Sequence, residues 1–287
     1  MPVVVRGFAI DAASFSNNFG ATRPVNNLPI FAILGFVAVL LVFASSPGID
    51  RVSCLIVLLC AGVSSIAGFA FSAIASPLLM HAAGDPVQAV QTMLVASIAL
   101  QSYGVWKLRK DIVPADLLPY FAGGMLTVMP GLYLLLNTPQ YLYLLALGTF
   151  LVTYAAYLLF RPALRLNSNP VVIRVLMGGI GGITGAVAAF PGASVTIWCG
   201  SHGWSKERQR AIYQPFILGM QMLTLCALGA LRPSQVLRLE TLQYAVPAIA
   251  GACIGFRIFE HLQTDQFNKV VSIFLLISGL ALCIRAF

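Results

Sequence analysis

Apolar runs of bilayer-spanning length recur along the chain. They fall at about 28–44, 87–103, 117–136, 141–160, 211–230, 242–259 and 270–287. Two further apolar stretches, 52–80 and 171–200, exceed the roughly 20 residues that one crossing needs. Their middles read GVSSIAGFAFSAIASP and GGIGGITGAVAAFPGAS, with small residues, hydroxyls and proline where a lipid-facing helix carries leucine. The pattern predicts seven full crossings and two interrupted helices.

The interrupted stretches look like copies. Gly68 lies eight residues before Ser76, and Gly185 lies nine before Ser194; an alanine, Ala75 or Ala193, precedes each serine. Each stretch leads through a short polar link into a helix bearing alanine and glutamine, VQAVQTML in one and RQRAIYQP in the other, and two later spans follow. The offset is close to 120 residues. The reading is an all-α polytopic membrane protein: residues 1–51 as an N-terminal segment with one extra helix, 52–165 as a first repeat and 166–287 as a second. Each repeat is a broken or re-entrant hairpin plus three transmembrane helices. An odd number of crossings per repeat inverts the second copy relative to the first.

Charge placement discriminates between topologies. If each interrupted stretch crosses once, 7 of the 17 cations fall on one side and 10 on the other. If each enters and leaves on the same side, only Arg51, Arg232, Arg238 and Arg285 lie on one side and 13 lie opposite. The excess of positive charge on cytoplasmic loops favours the second arrangement, with the N-terminus cytoplasmic. Charged residues are 9% of the chain against 59% hydrophobic, which excludes a soluble domain of this size. The cations sit between spans, not in a basic run with aromatics, so no nucleic-acid partner is expected. The six cysteines lie in or beside apolar segments without a C-x-x-C pair and read as small buried hydrophobes. No metal or other cofactor is expected. The three histidines, including His202, sit in connections and are read as solvated ends.

The breaks carry the chemistry. In lipid every backbone polar group needs a partner, so an interrupted helix belongs against protein or a polar cavity. Pro191 cannot donate to the helical ladder, and glycine permits a turn; Gly68, Gly185 and Pro191 are the expected break residues. A half-helix starting near Ala193 leaves its first N–H groups unpaired at the positive end of its dipole, a place for an anion. Candidate ligands are Gly192, Ser194 and Thr196 in the second copy, Ser72 and Ser76 in the first, and the amides Gln101, Gln214 and Gln221. Ser65 is read as bonding back to its own helix. No Asp, Glu or His stands mid-span, whereas cation and proton carriers place a carboxylate there. Arg208 and Arg210, near Arg174, are expected at the mouth, steering an anion inward. The substrate site itself is expected to contain no buried cation.

At these residues the chain resembles the sulfite exporter TauE/SafE family of bacterial permeases. The strongest part is GGIGGITGAVAAFPGASVTIWCGSHGWSKERQRAIYQPF. In the first copy, AGVSSIAGFAFSAIASPLLM, residues Phe69, Phe71 and Ser72 stand where the family's form carries more glycine. The resemblance implies export or uptake of sulfite, thiosulfate or an organosulfonate across the inner membrane. The expected partners are a small anionic substrate and the lipid bilayer. A coupling ion (H+ or Na+) and a homodimer remain open.

The leading reading is therefore a secondary anion transporter with alternating access and no enzymatic activity. No G-x-x-x-x-G-K-[ST] phosphate loop is present to provide direct ATP drive. A passive anion channel of the same fold is the alternative. An intramembrane serine hydrolase using Ser194 and His202 is disfavoured, because VTIWCG carries His202 away toward a loop and no third group orients it.

Overall fold

The computed structural model describes residues 51–285, apart from 70, 83–85, 138, 161–165, 167, 189 and 232–238. The expected helix at 28–44 lies outside the described residues, as do Arg6, Arg23, Arg161, Arg165, Arg232 and Arg238. Among the described residues the regular structure is helical. A first pair of helices, α1 (Arg51–Ala67) and α2 (Phe71–Ala82), is followed by α3 (Pro86–Leu108), α4 (Pro114–Asn137) and α5 (Gln140–Phe160). A second pair, α6 (Val171–Ala188) and α7 (Gly192–Gly200), is followed by α8 (Lys206–Leu231), a 3-10 turn (Leu239–Tyr244), α9 (Ala245–His261) and α10 (Thr264–Arg285). Both overlong apolar stretches are thus broken, at 68–70 and at 189–191.

The break positions follow from local chemistry. Gly68 ends α1 at φ +81°, a left-handed conformation that a side-chain-bearing residue adopts only at a cost, while its N–H still donates to Ser64 O at 2.7 Å. Pro191 stands at the N-cap of α7, where its missing N–H costs nothing. Gly185 lies within α6 and is not at the break; a Cβ there would meet Pro191 Cβ at 2.8 Å. It is the flat spot on which the turn folds.

Helix packing is reciprocal between the halves. The first arm of each pair packs on the second full helix of the other half, α1 on α9 and α6 on α4. Likewise α3 packs on α8 and α5 on α10. Small residues let these backbones approach, as in membrane helix pairs. A Cβ at Gly251 or Gly255 of α9 would collide with the Leu58 or Gly62 carbonyl of α1; one at Gly123 of α4 or Gly182 of α6 would collide with the Val175 or Gly124 carbonyl. Thr127 adds a hydroxyl bond from α4 to Gly179 O of α6 (2.7 Å).

The pairs open toward opposite ends of the bundle. The start of α6 and the end of α7 meet: Trp198 Nε1 donates to Asn169 Oδ1 (3.0 Å), and Leu166 N donates to Ser201 O (3.0 Å). His202 Nε2 lies 3.1 Å from Ser168 O. The same end holds Lys107, paired with Glu260 (2.9 Å), and Lys206, which caps α9 by donating to the Phe259, Glu260 and Leu262 carbonyls. At the other end, Cys54 and Val57 of α1 and Leu79 of α2 share a buried cluster with Met93, Tyr244 and Ala248. Large side chains such as Leu118, Leu126, Tyr133, Val172 and Ile284 stay exposed on outer faces, as lipid-facing residues do. Among the described residues, two helices combine the length and mean hydropathy for a crossing, Pro114–Leu134 at 1.3 and Thr241–His261 at 1.4. Arg51–Ala67 and Val171–Val187 are shorter apolar arms. The helices α3, α8 and α10 carry amide faces or charged first turns, which lowers their hydropathy.

Candidate functional site

The two breaks meet. Phe69, just past Gly68, and Phe190, just before Pro191, bring their ring centroids to 6.1 Å. Around them lies a pocket lined by Phe69, Phe71, Ser72, Ser97, Gln101, Phe190, Pro191, Gly192, Ile217 and Gln221. The pocket is narrow, with room for about one water molecule. Pro191 at the N-cap of α7 makes no side-chain cap bond to the helix's first turn.

Two helices supply the polar walls. On α3, Ser97 and Gln101 stand at i and i+4, hence on one face. On α8, Arg210, Gln214, Ile217 and Gln221 stand at i, i+4, i+7 and i+11, again one face. Gln221 Nε2 donates to Ser97 Oγ at 2.7 Å, and Gln101 Nε2 donates to Gly68 O at 3.3 Å. The amide oxygens of Gln101 and Gln221 are buried without a partner. The Gln221 amide can turn over, its oxygen then accepting from the Ser97 hydroxyl and its N–H₂ becoming free to donate, whereas turning the Gln101 amide would set its oxygen against Gly68 O.

Of the residues expected at the site, Ser72, Gln101, Gly192, Pro191 and Gln221 line this pocket. Gly68 forms the first tip but contributes its carbonyl to Gln101 and Gln214. Gln214 sits one turn from the pocket, against Gly104. Thr196 is buried with an unpartnered hydroxyl but does not line the pocket. Ser76 lies on α2, and its side chain is not among those described.

Several expectations are corrected. Ser194 Oγ donates to Met177 O at 2.6 Å, tying α7 to α6; its hydroxyl is spent on the hairpin. Ser65 Oγ is buried without a partner instead of bonding its own helix. His202 is 9% exposed, with Nδ1 2.8 Å from Trp198 O and its ring stacked on Trp204 at 4.5 Å; it is a buried clasp and not a solvated end. Both partners being carbonyls, neither ring nitrogen faces Ser194, so the two form no nucleophile–base pair. Arg208 does lie exposed at the Lys206 end, stacked on Trp204 and 4.0 Å from Asp116, which Arg174 also approaches at 4.0 Å. Arg210 does not. It is fully buried, its guanidinium 4.1 and 4.0 Å from the ring centroids of Phe256 and Phe259. A cation is therefore buried where the sequence suggested a solvated one, although Arg210 does not line the pocket. The α8 spacing pointed to it, since 210 shares a face with 214, 217 and 221.

A bundle of apolar helices with two interrupted pairs converging on a small polar pocket defines a membrane transport protein. A family model described as sulfite exporter TauE/SafE matches residues 53–282, and the chain belongs to that family. No curated protein and no solved structure matches it.

Proposed function

We propose that the protein is a secondary transporter of a small sulfur-containing anion, such as sulfite, thiosulfate or an organosulfonate, held where the two helix breaks meet and moved by alternating access. The observation that carries this reading is the convergence of both tips on one pocket lined by the amides of Gln101 and Gln221 and the first turn of α7. Neutral donors and a helix N-terminus suit an oxyanion. Residues 52–165 and 166–287 then act as two inverted repeats related by a two-fold axis in the membrane plane. The reciprocal packing supports this, as do the opposite openings of the hairpins and the equivalent spacing of Phe69 and Phe190 (121 residues) and of Gln101 and Gln221 (120 residues). Each hairpin is re-entrant in this reading. The Lys206 end, which holds Lys107, Arg109, Lys110, Arg174, Lys206, Arg208 and Arg257, faces the cytoplasm.

The test is counterflow in proteoliposomes. Vesicles loaded with unlabelled sulfite should accumulate external labelled sulfite transiently above its equilibrium level. Uptake that loading does not accelerate would replace the carrier with a passive channel. No sulfite or organosulfonate flux in either mode would remove the substrate assignment.

A further inference from the structure

Arg210 carries three guanidinium nitrogens, all buried and all without a hydrogen-bond partner. No carboxylate among the described residues lies within ion-pair distance of it: Glu207 approaches Lys206, Glu260 pairs with Lys107, and Asp116 lies between Arg174 and Arg208. The rings of Phe256 and Phe259 offset part of the burial cost. Such contacts recover only part of what burying an unpaired ion costs. The charge stands directly behind the first tip. A Cβ on Gly68 would lie 2.8 Å from Arg210 Nε and 3.0 Å from Tyr213 Oη, so only glycine leaves the guanidinium its place. Tyr213 Oη is itself engaged, donating to Ala67 O at 2.6 Å. Phe69 spans the two regions, touching Phe190 in the pocket and Tyr213 (6.2 Å between centroids) beside Arg210. Along α8, Arg210 is seven residues from Ile217, or about 10 Å along the helix axis.

We propose that Arg210 is a charged ligand for the transported oxyanion at a second station, on the Lys206 side of the first tip, with Gly68 and Phe69 forming the partition between it and the amide-lined pocket. The planar guanidinium takes two oxygens of one anion in parallel hydrogen bonds. A sulfite or sulfonate head group supplies them. The anion would neutralise a buried charge that no described residue pairs, then pass to Gln101, Gln221 and the α7 N-terminus once Phe69 moves. This inference rests on the anion-transport reading and adds to it a residue, a geometry and an order of binding.

Binding of sodium sulfite to the purified full-length chain in detergent, by calorimetry and thermal shift, tests it with Arg210→Gln and Arg210→Lys. Arg210→Gln should bind sulfite about tenfold to a hundredfold more weakly than wild type, the loss expected for hydrogen bonds to a charged group. Arg210→Lys should lose about tenfold, because a lysine cannot reproduce the two-point contact. In anion-free buffer Arg210→Gln should melt no lower than wild type, since it removes an unpaired charge; a purely structural arginine would give a lower melting temperature. Either variant folding and binding sulfite with wild-type affinity would overturn the proposal while leaving the transport reading intact. A wild-type protein that binds neither sulfite nor methanesulfonate would remove the transport reading itself, and this assignment with it.

Discussion

The two hairpins share a shape but are held in different ways. The second is tied to itself. Ser194 bonds Met177 O, Thr184 Oγ1 lies 3.1 Å from Phe190 O, Trp198 bonds Asn169, and His202 reaches Ser168 O. The first tip is held from outside, by Tyr213 on Ala67 O, by Gln101 and Gln214 on Gly68 O, and by the left-handed φ of Gly68 itself. Near-identical helix breaks therefore have different mechanical roles. The second draws its ties from its own two arms and the segment before them. The first depends on α3 and α8, so a shift of α8 carries the tip, Phe69 and Arg210 with it. We expect the first tip to be the element that moves in transport.

That contrast is broken most severely at Gly68. Gly68→Val places a β-branched residue at φ +81° and pushes a side chain onto Arg210 and Tyr213. The backbone strain alone costs about 1–3 kcal/mol. We expect lost sulfite binding and a lower melting temperature. Pro191→Leu, at the self-tied hairpin, should cost less transport than Gly68→Val when both are assayed in the same vesicles. The reverse ranking would mean that the second tip is the moving part.

A smaller effect is expected at the amides. Gln101→Leu and Gln221→Leu keep side-chain bulk but remove a buried polar end, and each should weaken sulfite binding about tenfold to a hundredfold if its amide reaches the charged ligand. Gln101→Leu also frees the first tip, so its apparent transport rate should change more than that of Gln221→Leu. Titration calorimetry beside vesicle uptake separates the two effects.

The smallest change is at Ser194. Ser194→Ala removes one neutral hydrogen bond to Met177 O and should lower stability by about 1 kcal/mol. Sulfite affinity should be unchanged. A tenfold loss of affinity with no loss of stability would return the serine to the substrate site.

The sequence made some of this visible and hid the rest for definable reasons. Gly68 and Pro191 announce backbone geometry wherever they occur, so both breaks could be read directly. Gln101 and Gln221 stood out as amides in apolar surroundings. Ser194 and Ser72 look alike in sequence, but which hydroxyl is free depends on the carbonyl each one meets. For Ser194 that is Met177, seventeen residues upstream and fixed only by hairpin closure. Arg210 was masked by its neighbours. In KERQR it reads as one more cation of a solvated helix start, and only its register with Gln214, Ile217 and Gln221 distinguishes it from exposed Arg208. His202 was misread for the same reason: a loop position does not reveal that two tryptophans enclose the ring.

The central claim is that the tips meet and that their meeting is the transport site. The most direct measurement joins them. In a chain whose six native cysteines are replaced, Phe69→Cys and Phe190→Cys should be bridged by a short bifunctional thiol reagent, because their rings now lie 6.1 Å apart. The account predicts an intramolecular cross-link that stops sulfite counterflow, protection by sulfite added beforehand, and recovery of transport when the bridge is reduced. Failure of the bridge to form, or full transport with the bridge in place, would contradict it.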